Sequence, residues 1–321
     1  MEYRNIGKSG LKVSTIGLGC GSATFAGNAD EQTSVNIIHQ ALELGITYFD
    51  SAETYADGRS ETLLGKALKG KRSQVVIGTK FAKDRSVGPT EQRGSRNRVM
   101  KAVEGSLKRL DTDYIDLYVM HEPDPGTPIG ETLRALDDLV RAGKVRYLGC
   151  SDFAGWQLCE ALWTSRTQGL ESFVAAGAPY NLINRSMERE LIPCCVNFGL
   201  GVVPTVPLAQ GFLTGKYRRG EMPQDARFTS APRYAGEKHH KLARYDKFLT
   251  DDNFGKLSRL ELFARERGHP VADLAIAWLL SHPWLSMVPV GVTSAGQLTR
   301  NITAAGWPLS AEDIAELEKI I

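Results

Sequence analysis

With 321 residues, 42% of them hydrophobic and 24% charged, and a formal net charge of +2, the chain has the make-up of a soluble globular protein and lacks the charge excess that would hold nucleic acid or an anionic membrane. No apolar run approaches the roughly 20 residues that span a bilayer, and Met1-Glu-Tyr-Arg-Asn5 has no signal-peptide core. Five cysteines, Cys20, Cys150, Cys159, Cys194 and Cys195, are odd in number and show no C-x-x-C spacing, which argues against a disulfide framework and a zinc ribbon and for a reducing cytoplasm.

Residues 2 to 15 read as a hairpin turned at Ser9-Gly10, placed across one end of a barrel. Thr15 to Gly19 is a first buried strand, and glycines 17, 19 and 21 would let a ligand lie against the backbone. Helix 30–44 follows, with Val35, Ile38, Ala41 and Leu42 on its buried face. After the strand that ends at Asp50, Ser60 is expected to cap a helix running to Leu68. Strand 74–80, a Gly/Arg/Pro-rich loop at 84–95, helix 96–110, strand 115–120 and a proline-rich loop lead to helix 129–142, which Gly143 closes. Strand 145–150, helix 153–167, strand 172–176, helix 186–198 and strand 201–206 continue the alternation.

The stretch 207–250 breaks that rhythm with Arg218-Arg219 and His239-His240, and its length predicts a functional loop or lid. Helices 251–268 and 271–281, strand 285–290, helix 294–304 and a last helix near 310–320 complete the chain. Eight strand-helix units predict an α/β fold: a (β/α)8 TIM barrel with an N-terminal β-hairpin and extra helices. Since such barrels use about 250 residues as one domain, residues 1–321 are read as a single domain. A doubly wound open sheet is the alternative, but Gly17-x-Gly19-x-Gly21 has no third glycine at the dinucleotide spacing and no helix directly after it.

Three strands stop on chemically capable side chains: Asp50, followed by Tyr55; Lys80; and His121. In α/β barrels the carboxyl ends of the strands share one rim, where the chemistry is kept, so these four residues are expected to converge as an acid-base site. A free phenol has a pKa near ~10, which an adjacent ammonium lowers. Tyr55 is therefore read as the proton donor, Lys80 as the group that lowers its pKa, Asp50 as the partner that holds Lys80, and His121 as a donor to a substrate oxygen. Singly, each has a bland reading: a cap, a half-buried aromatic, a solvated strand end, a core histidine. A metal-dependent hydrolase would need several ligands at strand ends, yet of the six histidines only His121 ends a strand, so no metal is expected. Paired carboxylates for glycoside cleavage would have to come from Asp50, Asp116 and Glu122.

The chain resembles the aldo-keto reductases from Tyr3 to about residue 310, in the branch that includes potassium-channel β subunits. The resemblance is carried by Tyr3-Arg-Asn-Ile-Gly-Lys-Ser-Gly-Leu-Lys-Val-Ser14, by the D-x-A-x-x-Y pattern at Asp50, Ala52 and Tyr55, by Gly58-Arg-Ser-Glu61 and Thr79-Lys80, and by Ser106 to Tyr118 leading to His121. Tyr180-Asn-Leu-Ile-Asn-Arg185 and Pro207-Leu-Ala-Gln-Gly-Phe-Leu-Thr-Gly-Lys-Tyr217 extend it.

It implies carbonyl reduction with a nicotinamide cofactor bound in extended form. The implied cofactor contacts are Gly19, Cys20, Gly21, Asp50, Ser151, Asp152, Pro207, Leu208, Ala209, Gly211, Lys216, Arg218, Gly291, Thr293, Gln297, Arg300 and Asn301. Four positions depart from the family pattern: Asp152 stands for the usual asparagine, Gly177 for a glutamine, Thr205 or Val206 for an aromatic, and Arg300 for a glutamate.

The expected function is reduction of an aldehyde or ketone, or the reverse, with NADPH favoured over NADH because Lys216, Arg218 and Arg300 can meet a 2′-phosphate. A cofactor-binding regulatory module like the channel β subunits is the alternative. The substrate is expected to be a sugar or a bulky oxygenated compound in an open mouth lined by Phe81, Tyr118, Met120, Phe153 and Trp156, with Arg85, Arg93 and Arg96 nearby. The protein would act as a monomer or homo-oligomer, with no nucleic-acid or membrane partner.

Overall fold

In the computed structural model, residues 1–22, 24–84, 88, 90–219, 221 and 248–321 are described. The chain forms two compact units: Met1–Ala178 with Met187–Thr205 and Trp284–Thr299, and Pro179–Ser186 with Val206–Pro283 and Arg300–Ile321. The first unit carries the barrel strands, save Pro179 at the end of β8. After the hairpin strands β1 (Tyr3–Asn5) and β2 (Lys12–Ser14) come β3 (Ile16–Gly19), the short α1 (Phe25–Asn28), α2 (Glu31–Glu43), β4 (Tyr48–Asp50), α3 (Arg59–Ala67), β5 (Val76–Phe81), α4 (Arg96–Leu110), β6 (Ile115–Met120), α5 (Ile129–Arg141), β7 (Val145–Ser151), α6 (Gly155–Gln168), β8 (Phe173–Pro179), α7 (Leu191–Phe198) and β9 (Gly201–Thr205). The eighth barrel strand is β10 (Val288–Gly291). The strands run in the order β10-β3-β4-β5-β6-β7-β8-β9. A parallel bridge between Val202 and Leu285 joins the two edges, so the sheet closes on itself as a (β/α)8 barrel.

The hairpin plugs the amino-terminal end of that barrel. Its backbone and side chains bond to residues that precede strands: Ser14 N to Thr47 Oγ1 at 2.9 Å, Lys8 N to the Gly199 carbonyl at 2.8 Å and Gly7 N to Ser286 Oγ at 3.2 Å. Ile6, Leu11 and Val13 then pack on Tyr48, Leu117, Val119, Ala175 and Met287 inside the barrel. Tyr48 lies across the interior so closely that a Cβ at Gly78 would stand 2.0 Å from its hydroxyl, which is why that strand carries a glycine there. With one end closed by apolar packing, chemistry is left to the other.

Strand alternation sets which side chains reach the interior. Along β6, Leu117 and Val119 face inward and His121 continues that parity, whereas Tyr118 and Met120 face the surrounding helices. Tyr118 stacks on Phe81 with ring centres 4.7 Å apart, both wholly buried. The expectation that Phe81, Tyr118 and Met120 line an open mouth is therefore overturned. Strands buried on both faces carry apolar residues on both, so their composition does not show which of those residues point in.

Two local expectations also change. Ser60 is not a cap: the chain enters α3 through a left-handed run, Ala56, Asp57 and Gly58, and the buried Ser60 hydroxyl donates to the Cys20 carbonyl at 2.8 Å. The helix expected at 186–198 is instead a single 3-10 turn, Ser186–Glu188, followed by α7. Pro193 is the third residue of α7, and proline is tolerated in a helix only within the first turn, so the helix has to start close before it. On α2 the buried face is Ser34, Ile37, Ile38 and Ala41, with Asp30 Oδ1 capping Thr33 N, and Val35 and Leu42 are only half-buried.

The second unit holds α8 (Asp251–Glu266), α9 (Val271–Leu280) and α11 (Ala311–Leu317), and Arg267 at the end of α8 ties that helix to α11, its guanidinium bonding Asp313 at 2.6 Å and Glu316 at 2.8 Å. Helix α10 (Ala295–Ala304) begins in the first unit and ends in the second. Of the stretch 207–250, the structure describes a 3-10 segment, Ala209–Thr214, and its flanks; His239, His240 and the rest of the expected lid lie outside the described residues, as does Arg85. Among the described residues no helix is long and apolar enough to cross a membrane, and no cluster of His, Cys, Asp and Glu could hold a metal ion.

Candidate active site

Asp50 is the last residue of β4, paired in register with Gly19 of β3 on one side and Gly78 of β5 on the other. Lys80, two residues beyond Gly78 on the same inward parity, is thereby brought beside it. Its ammonium has three N–H donors and three acceptors within reach: Asp50 Oδ2 at 2.6 Å, the Ser51 carbonyl at 2.8 Å and Tyr55 Oη at 3.5 Å. Both members of the ion pair are largely buried, their side chains being 6% and 15% exposed.

Tyr55 is carried by the loop between β4 and α3. That loop is fixed by Tyr55 N bonding to the Ala52 carbonyl and by Ala56 N bonding to Ser22 Oγ at 2.8 Å. His121 follows β6 directly, and its N–H donates to the Phe81 carbonyl at 2.8 Å. Its ring meets the Tyr55 ring edge to face, with centres 5.8 Å apart. The four residues singled out from the sequence are therefore one cluster at the carboxyl-terminal rim.

The electrostatics correct one expectation. Burial pushes the Tyr55 phenol above its ordinary value of 10.0; the Lys80 ammonium pulls the other way, but Asp50 offsets that pull and the net direction is up. Burial alone would discharge Lys80, but the Asp50 carboxylate and Tyr55 outweigh it and hold the ammonium's pKa above 10.5. The site thus keeps a neutral phenol beside a permanent cation. Cys20, wholly buried behind Asp50, has its thiol pushed well up, first by burial, and is inert.

Two side chains that sequence reasoning did not single out build the wall behind Tyr55. Glu53, inside the D-x-A-x-x-Y motif, donates its N–H to the Lys80 carbonyl and holds Arg98 of α4 at 2.8 Å, both side chains buried. Burial raises the Glu53 carboxyl and Arg98 opposes that rise. Ser22 is the other, and it stands three residues past the strand with no motif to mark it.

The residues expected to hold a cofactor divide between the units. In the first, Gly19, Cys20 and Gly21 leave β3, and the Cα of Gly21 faces open space where a side chain would stand. Gly291 closes β10 against Thr24, whose methyl a Cβ at Gly291 would strike at 2.4 Å. Ser151 is buried at the end of β7, while Asp152 is exposed with φ 57° and donates its N–H to the Gly177 carbonyl. Gly177 has no room for a side chain, since a Cβ would stand 2.9 Å from the Val203 carbonyl, so a glutamine is excluded there by the backbone. Gln297 is turned back on its own helix start, accepting from Thr293 N at 2.8 Å.

In the second unit, Pro207, Leu208 and Ala209 enter a run of positive φ from Ala209 to Gly211. Lys216 is exposed, with Nζ 5.4 Å from the Tyr217 ring centre. Arg218 bonds Glu261 at 3.0 Å, Arg300 is exposed near Asp273, and Asn301 is half-buried. The open backbone at Gly21 beside Asp50, next to the buried Lys80, fits a flat cofactor ring laid over the rim.

The chain matches the model of the Aldo/keto reductase family over residues 16–321. It is 38% identical, over 95% of its length and 91% of the relative's, to a probable voltage-gated potassium channel subunit beta of Arabidopsis thaliana. It is 35% identical to the aldo-keto reductase YhdN of Bacillus subtilis (strain 168), over 100% and 94% of the two chains. It is 33% identical to the L-glyceraldehyde 3-phosphate reductase of Escherichia coli (strain K12), over 100% and 92%.

Proposed function

We propose that this chain, which belongs to the aldo/keto reductase family of oxidoreductases, is an NADPH-dependent carbonyl reductase that works through Tyr55. The observation that carries this reading is the Lys80 ammonium set between Asp50 Oδ2 and Tyr55 Oη. A reduced nicotinamide, when bound, supplies the hydride equivalent. As negative charge develops on the substrate oxygen, Tyr55 Oη hands over its proton, and Lys80 stabilises the phenolate left behind. Asp50 keeps the ammonium charged and fixed, and His121 donates to the same oxygen. Gly19, Gly21, Ser151 and Asp152 hold the cofactor ring end in this reading, and Lys216 and Arg300 meet the 2′-phosphate. The whole chain acts as one reductase domain in a reducing cytoplasm. Lys83 and Arg93, both paired with Glu122 beside His121, favour a polar, sugar-like carbonyl substrate.

The test is consumption of NADPH or NADH by the purified protein with a panel of aldehydes and ketones, alongside cofactor titrations. NADPH should bind more tightly, and Lys216→Ala or Arg300→Ala should weaken NADPH while leaving NADH little changed. A parent that prefers NADH overturns the cofactor assignment, and no turnover with any carbonyl overturns the reductase reading. Similarity to a channel β subunit favours a second reading, a cofactor-binding regulatory module. Rapid turnover with no partner recovered in pull-downs removes it.

The raised Tyr55 pKa gives the pH dependence its sign. Reduction needs the protonated phenol, so kcat for reduction should stay level from neutral pH to about 10 and fall above it. Oxidation of the alcohol needs the phenolate and should climb over the same range. A reduction rate already halved at about pH 8 contradicts the assignment of Tyr55 as the acid, because the phenol is held above 10.0.

A further inference from the structure

Cys159 of α6 and Cys194 of α7 stand 35 residues apart in sequence, yet their Sγ atoms are 3.2 Å apart on the outside of the barrel. Close packing sets their placement: the start of α6 lies so near the residue before α7 that a Cβ at Gly155 would stand 2.7 Å from the Glu190 side chain. Cys159 is exposed and Cys194 buried beneath it, while Cys195, next in sequence, is turned wholly into the core. Both sulfurs therefore sit on packed helices, with one of them open to solvent. We infer that Cys159 and Cys194 form a reversible dithiol-disulfide site, with low-molecular-weight disulfides as the oxidant.

The steps balance as thiol-disulfide exchange. The Cys159 sulfur, as thiolate, attacks one sulfur of the small disulfide, forming a mixed disulfide and expelling one small thiolate. Cys194 then gives its proton to solvent base and displaces the second small thiol from Cys159. Two protein thiols are oxidised to one disulfide and one small disulfide is reduced to two thiols. The order of attack follows from access: burial, with Cys159 as hydrogen-bond partner, pushes the Cys194 thiol up to about 12, so it serves as the resolving sulfur. The pair is independent of the catalytic cluster and needs neither cofactor nor substrate.

The full-length protein is incubated with oxidised glutathione, alkylated and mapped by mass spectrometry. A peptide pair joined through Cys159 and Cys194, lost on treatment with dithiothreitol, is the expected result. Cys194→Ser should leave glutathione trapped on Cys159, Cys159→Ser should abolish both adducts, and Cys195→Ser should leave the cross-link intact. Persistent glutathione on Cys159 of the parent with no cross-link, a link through Cys195 instead, or five unmodified thiols would each overturn the inference.

Discussion

Tyr55→Phe is expected to cut kcat for carbonyl reduction by about 10²–10⁴-fold, the range a positioned proton donor contributes. The substitution removes one oxygen and leaves the ring that meets His121 edge to face at 5.8 Å, so the wall of the site keeps its shape. The Lys80 ammonium loses only its most distant acceptor, at 3.5 Å, and keeps Asp50 and the Ser51 carbonyl at 2.6 and 2.8 Å. Folding and cofactor affinity should therefore stay near those of the parent, and the loss should fall on kcat rather than KM. Single-turnover kinetics at neutral pH with the best carbonyl of the panel check this. A variant that retains parental kcat removes Tyr55 from the chemistry and leaves His121 as the donor to examine.

The barrel was legible because eight strand-helix alternations leave few other topologies, and because a glycine that punctuates them, such as Gly143 after α5, acts locally. The clustering of the four rim residues was legible for a related reason: Asp50, Lys80 and His121 each stand at or near the carboxyl end of a strand, and parallel strands bring those ends to one rim. What depended on burial was not legible. The inward or outward sense of Phe81 and Tyr118 follows from register, and both faces of these strands carry apolar residues. The direction of the Tyr55 pKa follows from a balance of burial, Lys80 and Asp50 that spacing does not reveal. Left-handed backbone at Ala56 and Asp57 displaced Ser60 from its expected capping role, and alanine carries no mark of positive φ. The meeting of Cys159 with Cys194 is long-range packing, invisible to a search for C-x-x-C.

Lys80→Met is expected to lose turnover and stability together, which separates it from Tyr55→Phe. Without the ammonium, nothing stabilises the Tyr55 phenolate as the proton leaves, and kcat should fall by about 10²–10³-fold, as for loss of one preorganised charge-stabilising donor. Methionine fills a similar volume, so the cavity cost is small. Asp50, only 15% exposed, is nevertheless left without its counter-charge, and breaking a buried pair from one side costs about 3–5 kcal/mol. Urea unfolding of parent and variant reads that difference directly.

Its pH dependence follows from the raised Lys80 pKa: the lysine holds its proton more tightly folded than unfolded, so its contribution is complete below the unfolded value of about 10.4 and is lost as pH rises through the folded one, above 10.5. The stability gap should thus be level from neutral pH to about 10 and narrow beyond it. A gap within about 0.5 kcal/mol at neutral pH, the range of an ordinary surface substitution, would mean that Asp50 is hydrated well enough to stand alone and that the pair does not organise the site.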